Sequence, residues 1–471
     1  MEIESRRVGE KTMKNYLALP DGITFQRHPT GATLFKVVKE SNNWMSKFRK
    51  TVNIDAARIL ELCDGKTTPA ELLEKHNARH PGSQLTREVA NAFFSAAQKE
   101  GMLVVSPAET APNVRFAGSH EHYYPQHSSI ELTDQCNYRC KHCYRESSPD
   151  QHKSLELGKI KRYISDLWEN GGSVLELTGG EPLLYKDFYE VVDFAYPKMS
   201  MLCILTNGYY LQEQAIEKLR KYKDKLVFNI SLDSHRPEFH NNFRGKEDAF
   251  EKTLNAMRLL GENGFVYRVA MSVSRENNYD IDATLQLARK HGAKLFAYTH
   301  VTNVGRGEDM LSSQKLMTEA DVRKMVEYEL RVRAENKDIM HFLTVQQVNE
   351  LKATNCGLIH RSVTLGPDGE IRPCIMFAGD VIKIGNINTQ SYKEIFEGGI
   401  GKAFAGMHGP KAEVCGDCEH LLYCGNCVLR GIKKGTELGG CRWLEKTGAA
   451  KYIKDAPRRK VCGNVQEPCH E

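Results

Sequence analysis

The spacing of apolar residues divides the chain into regions with different predicted folds. Between residues 128 and 310, short apolar segments alternate with amphipathic segments of helical period, which is typical of a parallel α/β sheet or barrel. The segments that read as strands are Ser129–Thr133, Val174–Thr178, Leu202–Thr206, Leu226–Leu232, Tyr267–Val273 and Lys294–Thr299. Most of their residues are apolar, as expected of strands buried on both faces. The pattern predicts an α/β fold with a partial (β/α)6 barrel, open on one side.

The region before the barrel, residues 1–105, predicts a compact α+β domain. Its apolar residues change from a period of two to a helical period and are punctuated by turn residues. A good N-cap at Thr68, with Pro69 at the first helical position, marks one helix start. The predicted strands are Ile23–Arg27, Thr33–Val38 and Trp44–Val52, and the other predicted helices are Ile54–Cys63 and Thr86–Glu100.

Three further segments complete the predicted domain organisation. Residues 106–127 lack periodicity and contain three prolines, which predicts a linker. Residues 311–350 have helical period and are expected to bridge the barrel to the next domain. Residues 351–471 are rich in glycine and cysteine, so little regular structure is expected there and metal is expected to support the fold.

Composition narrows the class of protein. The chain has 471 residues, 14 of them cysteine, and its formal charge of +5 is too small to indicate nucleic-acid binding. Its apolar runs are strand-sized, so no membrane span is expected. The charged N-terminus lacks the apolar stretch of an export signal, which predicts a cytoplasmic protein. In that compartment cysteines serve metal or redox chemistry more often than disulfides. Cys63 and Cys203 are isolated on apolar stretches and are expected to be buried core thiols.

The most informative motif is a C-x3-C-x2-C loop formed by Cys136, Cys140 and Cys143. Three thiolates can hold three irons of a [4Fe–4S] cluster and leave the fourth iron open for chemistry. The alternative is a zinc site, but structural zinc prefers four ligands in paired C-x2-C units. The loop follows the first predicted barrel strand. Polar residues follow the other strands at the same end, which is the active-site face of α/β barrels.

This loop, with Tyr144 as the aromatic residue beside its last cysteine, resembles that of radical S-adenosylmethionine (SAM) enzymes. The resemblance implies that the open iron chelates SAM, whose reductive cleavage gives a 5′-deoxyadenosyl radical that abstracts a substrate hydrogen. It also implies roles for rim residues. Gly179, Gly180 and Glu181 would contact the methionine amino group, and Arg244 would pair with the SAM carboxylate. The other implied cofactor-binding residues are Tyr144, Asn207, Ser231 and Asp233. No glycine motif is evident near Val269–Ser274, so the adenine contacts stay open.

The remaining clustered cysteines lie in the C-terminal region. The two C-x2-C pairs alone are compatible with a zinc ribbon, but seven ordered thiols exceed the needs of one zinc. They resemble the SPASM extension of radical SAM enzymes, although the last spacing is C-x2-C where C-x3-C is usual. The resemblance implies two auxiliary [4Fe–4S] clusters, and so three in total. The outer cluster would use Cys415, Cys418, Cys424 and Cys441, and the inner one, with an open iron, Cys356, Cys374 and Cys427. Cys462 and Cys469 are either spare or complete a cluster.

The N-terminal domain resembles the PqqD-like leader-peptide recognition element, a winged-helix fold. Matching stretches are Val52-Asn53-Ile54 and Phe93 through Leu103. The resemblance implies that a precursor peptide binds as an added strand at the edge of the small sheet. A DNA-binding winged helix is the alternative, but no concentrated basic recognition helix is present.

Together these resemblances imply a radical SAM/SPASM enzyme that matures a ribosomally made peptide by forming thioether crosslinks, with a flavodoxin- or ferredoxin-like electron donor. No catalytic acid or base is assigned. Alternatives are a carbon–carbon or other crosslink, a dehydrogenase like the sulfatase maturases, and a non-catalytic zinc scaffold that binds peptides. Against the dehydrogenase, Ile375 follows Cys374 where such enzymes place an aspartate.

Overall fold

The computed structural model describes residues 7–8, 11–12, 14–37, 47–340, 357–377, 382–425 and 427–452. Its N-terminal part combines short strands with helices. The strands are β1 (Arg7–Val8), β2 (Lys11–Thr12), β3 (Tyr16–Ala18), β4 (Thr24–His28), β5 (Gly31–Val37), β6 (Lys47–Asn53), β7 (Asp64–Thr67), β8 (Val104–Ser106) and β9 (Arg115–Gly118). The helices are α1 (Ile54–Leu60), α2 (Pro69–Arg79) and α3 (Arg87–Lys99).

Two small sheets surround the core of this domain. In the described part of the chain their strand orders are β6-β5-β4-β9 and β7-β3-β8, and β1 pairs separately with β2. Helix α2 begins with a capping box in which Thr68 and Glu71 bond each other's backbone. Leu17, Phe25, Leu34 and Phe94 are fully buried between the sheets and helices. The predicted α+β domain is therefore confirmed in its elements.

The segment predicted as a linker contributes instead to this domain. Strand β9 pairs in parallel with β4, from Thr24 opposite Arg115 to Arg27 opposite Gly118. The Arg115 guanidinium donates to the carbonyl oxygens of Trp168 at 2.7 Å and Gly172 at 3.1 Å, so β9 also ties the domain to the next one. A four-residue strand added to an existing edge leaves no periodicity in the sequence, which explains the wrong prediction.

The middle of the chain alternates strands and helices as predicted. Its strands are β10 (His127–Glu131), β11 (Val174–Thr178), β12 (Met201–Thr206), β13 (Leu226–Ser231), β14 (Val266–Val273) and β15 (Leu295–His300). Its helices are α4 (Leu157–Glu169), α5 (Phe188–Ala195), α6 (Glu213–Leu219), α7 (Pro237–Arg244), α8 (Ala249–Glu262) and α9 (Ile281–Lys290). Short 3-10 turns lie at Pro182–Leu184, Arg220–Tyr222 and Asn278–Asp280.

These six strands are parallel neighbours in the order β15-β14-β13-β12-β11-β10 within the described chain. Ile164, Leu177, Ile204, Phe228 and Val269 are fully buried between the sheet and the surrounding helices. Because the strands are parallel, the loops that follow them gather at one edge. The predicted partial barrel is confirmed, and that edge carries the candidate site.

The C-terminal region extends the barrel sheet. Helices α10 (Gly307–Ser312) and α11 (Glu319–Glu335) lie in the segment predicted to bridge the two regions, and residues 341–350 lie outside the described residues. Strand β16 (Ser362–Leu365) pairs in parallel with β10, and β17 (Glu370–Arg372) and β18 (Gly385–Asn386) continue the sheet antiparallel. The helices that follow are α12 (Tyr392–Phe396), α13 (Gly399–Ala405), α14 (Ala412–Cys415), α15 (Leu421–Cys424), α16 (Val428–Leu438) and α17 (Arg442–Thr447), with a 3-10 turn at Ala449–Tyr452.

The expectation of little regular structure after residue 350 is therefore wrong for the residues the structure describes. Most of these elements are shorter than two helical turns or are single short strands, so they are too short to establish a period in the sequence. No helix among the described residues combines the length and apolarity needed to span a membrane.

Candidate active site

The thiols of the C-x3-C-x2-C motif lie on the loop that follows β10, at the carboxyl edge of the barrel strands. Cys136 and Cys140 are buried with Tyr138 and Ala249, and Cys143 packs against the same cluster. The Cys136 sulfur accepts from the backbone N–H of Tyr138 at 3.4 Å. N–H donors directed at sulfur stabilise a thiolate, so this environment suits metal-ligating cysteines.

Within the described ranges, no three His, Cys, Asp or Glu side chains converge as the ligands of one metal ion would. A [4Fe–4S] cluster makes a different demand, because each thiolate binds its own iron. Three thiols on one loop, with the Tyr138 N–H directed at the first of them, fit that demand. The same turn closes each C-x2-C step: the second cysteine N–H donates to the carbonyl of the first in Cys140/Cys143, Cys415/Cys418 and Cys424/Cys427.

The Gly179-Gly180 pair after β11 is required by close packing against the thiol loop. Gly179 has a φ of +136°, and a Cβ there would lie 2.3 Å from the Thr133 carbonyl oxygen. A Cβ at Gly180 would lie 2.1 Å from the carbonyl oxygen of Gln135. Backbone hydrogen bonds run along this contact, with the Gly180 N–H donating to Thr133 at 2.7 Å. The glycines therefore allow β11 to hold the start of the thiol loop.

Glu181 is buried, and its carboxylate accepts hydrogen bonds from the protein itself. The donors are the Thr206 hydroxyl at 2.7 Å and the Asn207 N–H at 3.0 Å. Burial raises the pKa of Glu181 to about 7, and these hydrogen bonds oppose that shift. The Asn207 side-chain amide in turn donates to Asn137 at 2.9 Å and lies 3.9 Å from the Cys136 sulfur. Glu181 thus positions Asn207 against the thiol loop.

Asp233 and Arg244 form a bidentate ion pair beneath the loop. The Arg244 Nε and Nη2 atoms donate to the two carboxylate oxygens at 2.5 and 3.0 Å, and Asp233 is fully buried. Burial favours a neutral Asp233, but Arg244 outweighs it and lowers the pKa of this carboxyl to about 2. The remaining Nη1 of Arg244 lies 3.9 Å from the Cys140 sulfur. Ser231, the last residue of β13, is half-buried at the same edge.

Arg306, which sequence reasoning missed, closes the loop from the β15 side. Its Nε donates to the carbonyl of Cys140 at 2.7 Å, its Nη2 to that of Ser147 at 2.9 Å, and its backbone N–H to that of Cys143 at 3.1 Å. Gly305 precedes it with positive φ, and a Cβ there would lie 2.6 Å from the Cys143 carbonyl oxygen. The sequence feature that could have identified Arg306 is the Gly-Arg-Gly stretch that follows the last barrel strand.

A buried carboxylate also connects the thiol loop to the C-terminal region. Glu131, the last residue of β10, accepts from the Tyr144 hydroxyl at 3.0 Å and lies 3.3 Å from the Arg145 Nε. Its second oxygen also pairs with Arg372, and both Glu131 and Arg372 are buried. Arg372 donates further to the carbonyl of Phe377 at 2.8 Å, around the turn that carries Cys374. Tyr144, predicted to bind the cofactor, thus directs its hydroxyl to Glu131.

The four cysteines predicted to hold the outer auxiliary cluster, namely Cys415, Cys418, Cys424 and Cys441, all lie within the described residues. Burial raises the pKa of Cys424 to about 12, and the neighbouring thiols of Cys415, Cys418 and Cys441 add to that rise. Cys374 and Cys427 are half-buried and pack against the main core. Three of the predicted or spare thiols lie outside the described residues, namely Cys356, Cys462 and Cys469.

The two isolated cysteines are core residues, as predicted. Cys63 is buried, and its thiol donates to the Ile59 carbonyl at 3.6 Å. Burial raises its pKa well above the ordinary value, so it stays a neutral thiol. Cys203 is buried in β12.

A partial barrel of parallel strands, with three thiols after its first strand and more thiols on a C-terminal extension, defines an iron–sulfur enzyme of the radical SAM class. Comparison with protein families agrees. Residues 130–288 match the Radical SAM superfamily, and residues 356–419 match SPASM, an iron–sulfur cluster-binding domain.

Individual relatives agree with this class. The antilisterial bacteriocin subtilosin biosynthesis protein AlbA of Bacillus subtilis is 32% identical over 394 residues, which cover 82% of this chain and 87% of AlbA. An AdoMet-dependent heme synthase of Methanosarcina barkeri is 27% identical over 65% of this chain and 92% of its own length. Among solved structures, Streptococcus suis SuiB bound to its precursor peptide SuiA superposes with a TM-score of 0.63 at 14% identity, over 88% of this chain and 97% of SuiB. The chain belongs to the radical SAM/SPASM family of peptide maturases.

Replacing Gly180 by alanine tests the contact that holds the thiol loop. We expect Gly180→Ala to lose the iron bound at this loop, because the added Cβ would collide with backbone 2.1 Å away. Iron content and the EPR spectrum of the reduced protein measure the loss. Gly158→Ala is the matched control, since a Cβ on this α4 residue meets nothing within 4 Å. Equal iron in both variants would contradict the prediction.

Replacing Glu131 by glutamine tests the buried connection. Removing one charge of a buried pair costs about 3–5 kcal/mol, because the partner charge stays uncompensated. We therefore expect Glu131→Gln to lower the melting midpoint and to perturb the EPR signal of iron–sulfur bound in the C-terminal region, through Arg372. Glu190→Gln removes an exposed carboxylate paired with Lys161 and should change neither. A Glu131→Gln variant indistinguishable from this control would show that the connection contributes little.

Proposed function

We propose that this enzyme forms thioether bonds between cysteine sulfur and carbon atoms of a ribosomally made precursor peptide. The observation that carries the proposal is the Glu131 carboxylate, which Tyr144 of the thiol loop and Arg372 beside Cys374 share. Through Arg372, it would hold Cys374, a thiol of the proposed inner auxiliary set, near the rim of the barrel. A cluster at that position with an open iron would bind a substrate thiolate close to the carbon that loses hydrogen.

The atoms and electrons of this reaction balance. When bound, the first cluster and SAM would supply one 5′-deoxyadenosyl radical for one electron taken from a flavodoxin- or ferredoxin-like donor. Methionine would be released in the cleavage of SAM, and a substrate carbon would give up a hydrogen atom that leaves in 5′-deoxyadenosine. The substrate thiol would lose its proton, its sulfur would bond to the substrate carbon, and an auxiliary cluster held by the C-terminal cysteines would supply the acceptor for the surplus electron.

We assign three [4Fe–4S] clusters to the chain. Cys136, Cys140 and Cys143 would hold the SAM-binding cluster. Cys415, Cys418, Cys424 and Cys441 would hold the outer auxiliary cluster, which the proximity of these thiols supports. Cys356, Cys374 and Cys427 would hold the inner one and leave an iron open.

SAM would bind above the thiol loop, at the carboxyl edge of the strands. Its carboxylate needs a donor and its ammonium needs an acceptor. Arg244 has one nitrogen, Nη1, that does not bond Asp233 and that faces the thiol loop, which suits the carboxylate. The backbone of Gly179 and Gly180 and the carboxylate of Glu181 would receive the ammonium, with Ser231 and Asn207 beside them.

The N-terminal domain, residues 1–105, would bind the leader of the precursor. In the described part of the chain β6 is the last strand of its sheet, so a peptide strand could pair there. A cavity of about 760 Å³ between the end of β15 and helices α15 and α16 would admit the core peptide. SuiB, which shares this fold, is described as bound to a precursor peptide, and AlbA acts in bacteriocin biosynthesis. Both favour a peptide over the porphyrin chemistry that the heme synthase name suggests.

Activity with the cognate precursor tests this proposal. The reduced enzyme with SAM and a cysteine-containing precursor should release 5′-deoxyadenosine, and each crosslink should remove two hydrogen atoms from the peptide mass. Cys136→Ala should abolish both products, whereas Cys203→Ala, at an isolated core thiol, should retain them. If the modified peptide still reacts with iodoacetamide at every cysteine, no sulfur is bonded to carbon, and the alternative of a carbon–carbon or other crosslink applies.

Removing the leader from the precursor tests the recognition domain. The domain would raise the local concentration of the core peptide at the barrel without touching the reacting atoms. We therefore expect a leaderless peptide to show a KM raised by about tenfold or more, with kcat much less affected. Adding the free leader in trans is the control and should not restore KM, since tethering is lost. An unchanged KM would remove the assigned role of the domain.

A further inference from the structure

A second cleft, of about 350 Å³, lies where the N-terminal domain meets the start of the barrel strands. Phe35, Lys36 and Arg49 contribute from β5 and β6, and Gln126, Ser173 and Arg361 precede β10, β11 and β16. Gln126, Ser173 and Arg361 lie at the amino ends of barrel strands, whereas the thiol loop lies at their carboxyl ends. The cleft is therefore separate from the candidate active site.

The charges around this cleft are unbalanced. Arg49 and Arg361 line it together with His127, and no carboxylate is among its described lining residues. Lys36 also lines the cleft, but its ammonium donates to the Asp21 carbonyl at 2.9 Å. The Glu176 carboxylate, which contacts the lining residue His127 at 3.3 Å, also accepts a hydrogen bond from the Ser129 hydroxyl. Burial lowers the pKa of Arg49 to about 10, and repulsion from Arg361 adds to that shift. An anion in the cleft would relieve this repulsion.

Polar atoms without a partner line the same cleft. The Gln126 side chain is 4% exposed; its oxygen accepts from Arg49, but its Nε2 has no hydrogen-bond partner among the described atoms. The Ser173 hydroxyl, 1% exposed, has none in the described chain either. Leaving such a buried group unsatisfied costs about 1–3 kcal/mol. An amide N–H and a hydroxyl beside two guanidinium groups match the oxygens of a carboxylate.

We propose that this cleft binds carboxylate side chains of an acidic segment in the precursor peptide. The inference rests on the proposed function and adds a second contact to it. Arg49 lies on β6, the strand at which the leader would be added, so a peptide paired there would continue past the cleft. A peptide also explains why the cations are spread along two strands and a loop instead of surrounding one point. The cleft would then set the sequence preference for the leader, while strand pairing supplies sequence-independent affinity.

Binding of a model anionic peptide tests the site. We would measure fluorescence anisotropy of fluorescein-labelled hexaglutamate with the full chain, its clusters reconstituted, at fixed ionic strength. Arg361→Gln, at an exposed residue whose replacement spares the core, should weaken binding by about tenfold or more, since it removes a charge-assisted hydrogen bond. Ser173→Ala should weaken it by a smaller factor. Arg258→Gln removes the same charge from an exposed α8 residue paired with Glu262 and should leave binding within about twofold.

Each outcome decides the proposal. Equal weakening by Arg258→Gln would show only non-specific attraction to a basic protein and overturn the site. Binding of inorganic phosphate without binding of hexaglutamate would identify a small-anion site and overturn the peptide assignment. With the cognate precursor, Arg361→Gln should raise KM. If the wild-type enzyme makes no crosslink yet hexaglutamate binding still depends on Arg361, the proposed function fails and the site stands. If crosslinking proceeds and Arg361→Gln changes neither KM nor hexaglutamate affinity, the site fails alone.

Discussion

The architecture depends most on one buried carboxylate, that of Glu131. It sits at the end of the first barrel strand and accepts from Tyr144 on the thiol loop while it pairs with Arg372 in the C-terminal region, 241 residues away along the chain. Ion pairs in such an interior recover little net stability, because both charges lose their hydration. The pair instead fixes the position of the C-terminal region relative to the first barrel strand. Because a buried Glu131 and a buried Arg372 each need the other charge, only a few relative placements of the thiol loop and the C-terminal region satisfy both.

The rest of the rim is held by similar contacts between residues that are closer in sequence. Glu181 bonds the backbone of Asn207, which reaches Asn137, and Asp233 orients Arg244 toward Cys140. After β11 and β13, therefore, a buried carboxylate fixes a neighbouring residue that faces the thiol loop. The loop has almost no regular structure of its own, so its conformation is imposed by its neighbours. A preorganised loop of this kind can present its sulfurs before any metal arrives.

The sequence was sufficient for the parts of the molecule that repeat or that carry strict spacing. Barrel strands such as Val174–Thr178 were located from their apolar runs, and the cysteine motifs indicated iron–sulfur chemistry without any structure. Contacts between distant residues were beyond reach, because nothing local marks Glu131 and Arg372 as partners. Short additions to a sheet edge, β9 and β16, were missed because a strand of four residues has no detectable period. The Gly-Gly-Glu motif identified Glu181, but nothing in that motif indicates that its carboxylate accepts hydrogen bonds from Thr206 and Asn207.

The parallel pairing of β16 with β10 has a consequence for the order in which the molecule is assembled. The strands from β10 to β15 can associate as the chain emerges from the ribosome, whereas β10 keeps one bare edge until much later residues are made. An unpaired edge is prone to wrong associations, and pairing between remote segments is slow. Docking of β16 then closes the edge, so the barrel sheet is completed only after the C-terminal region has been made.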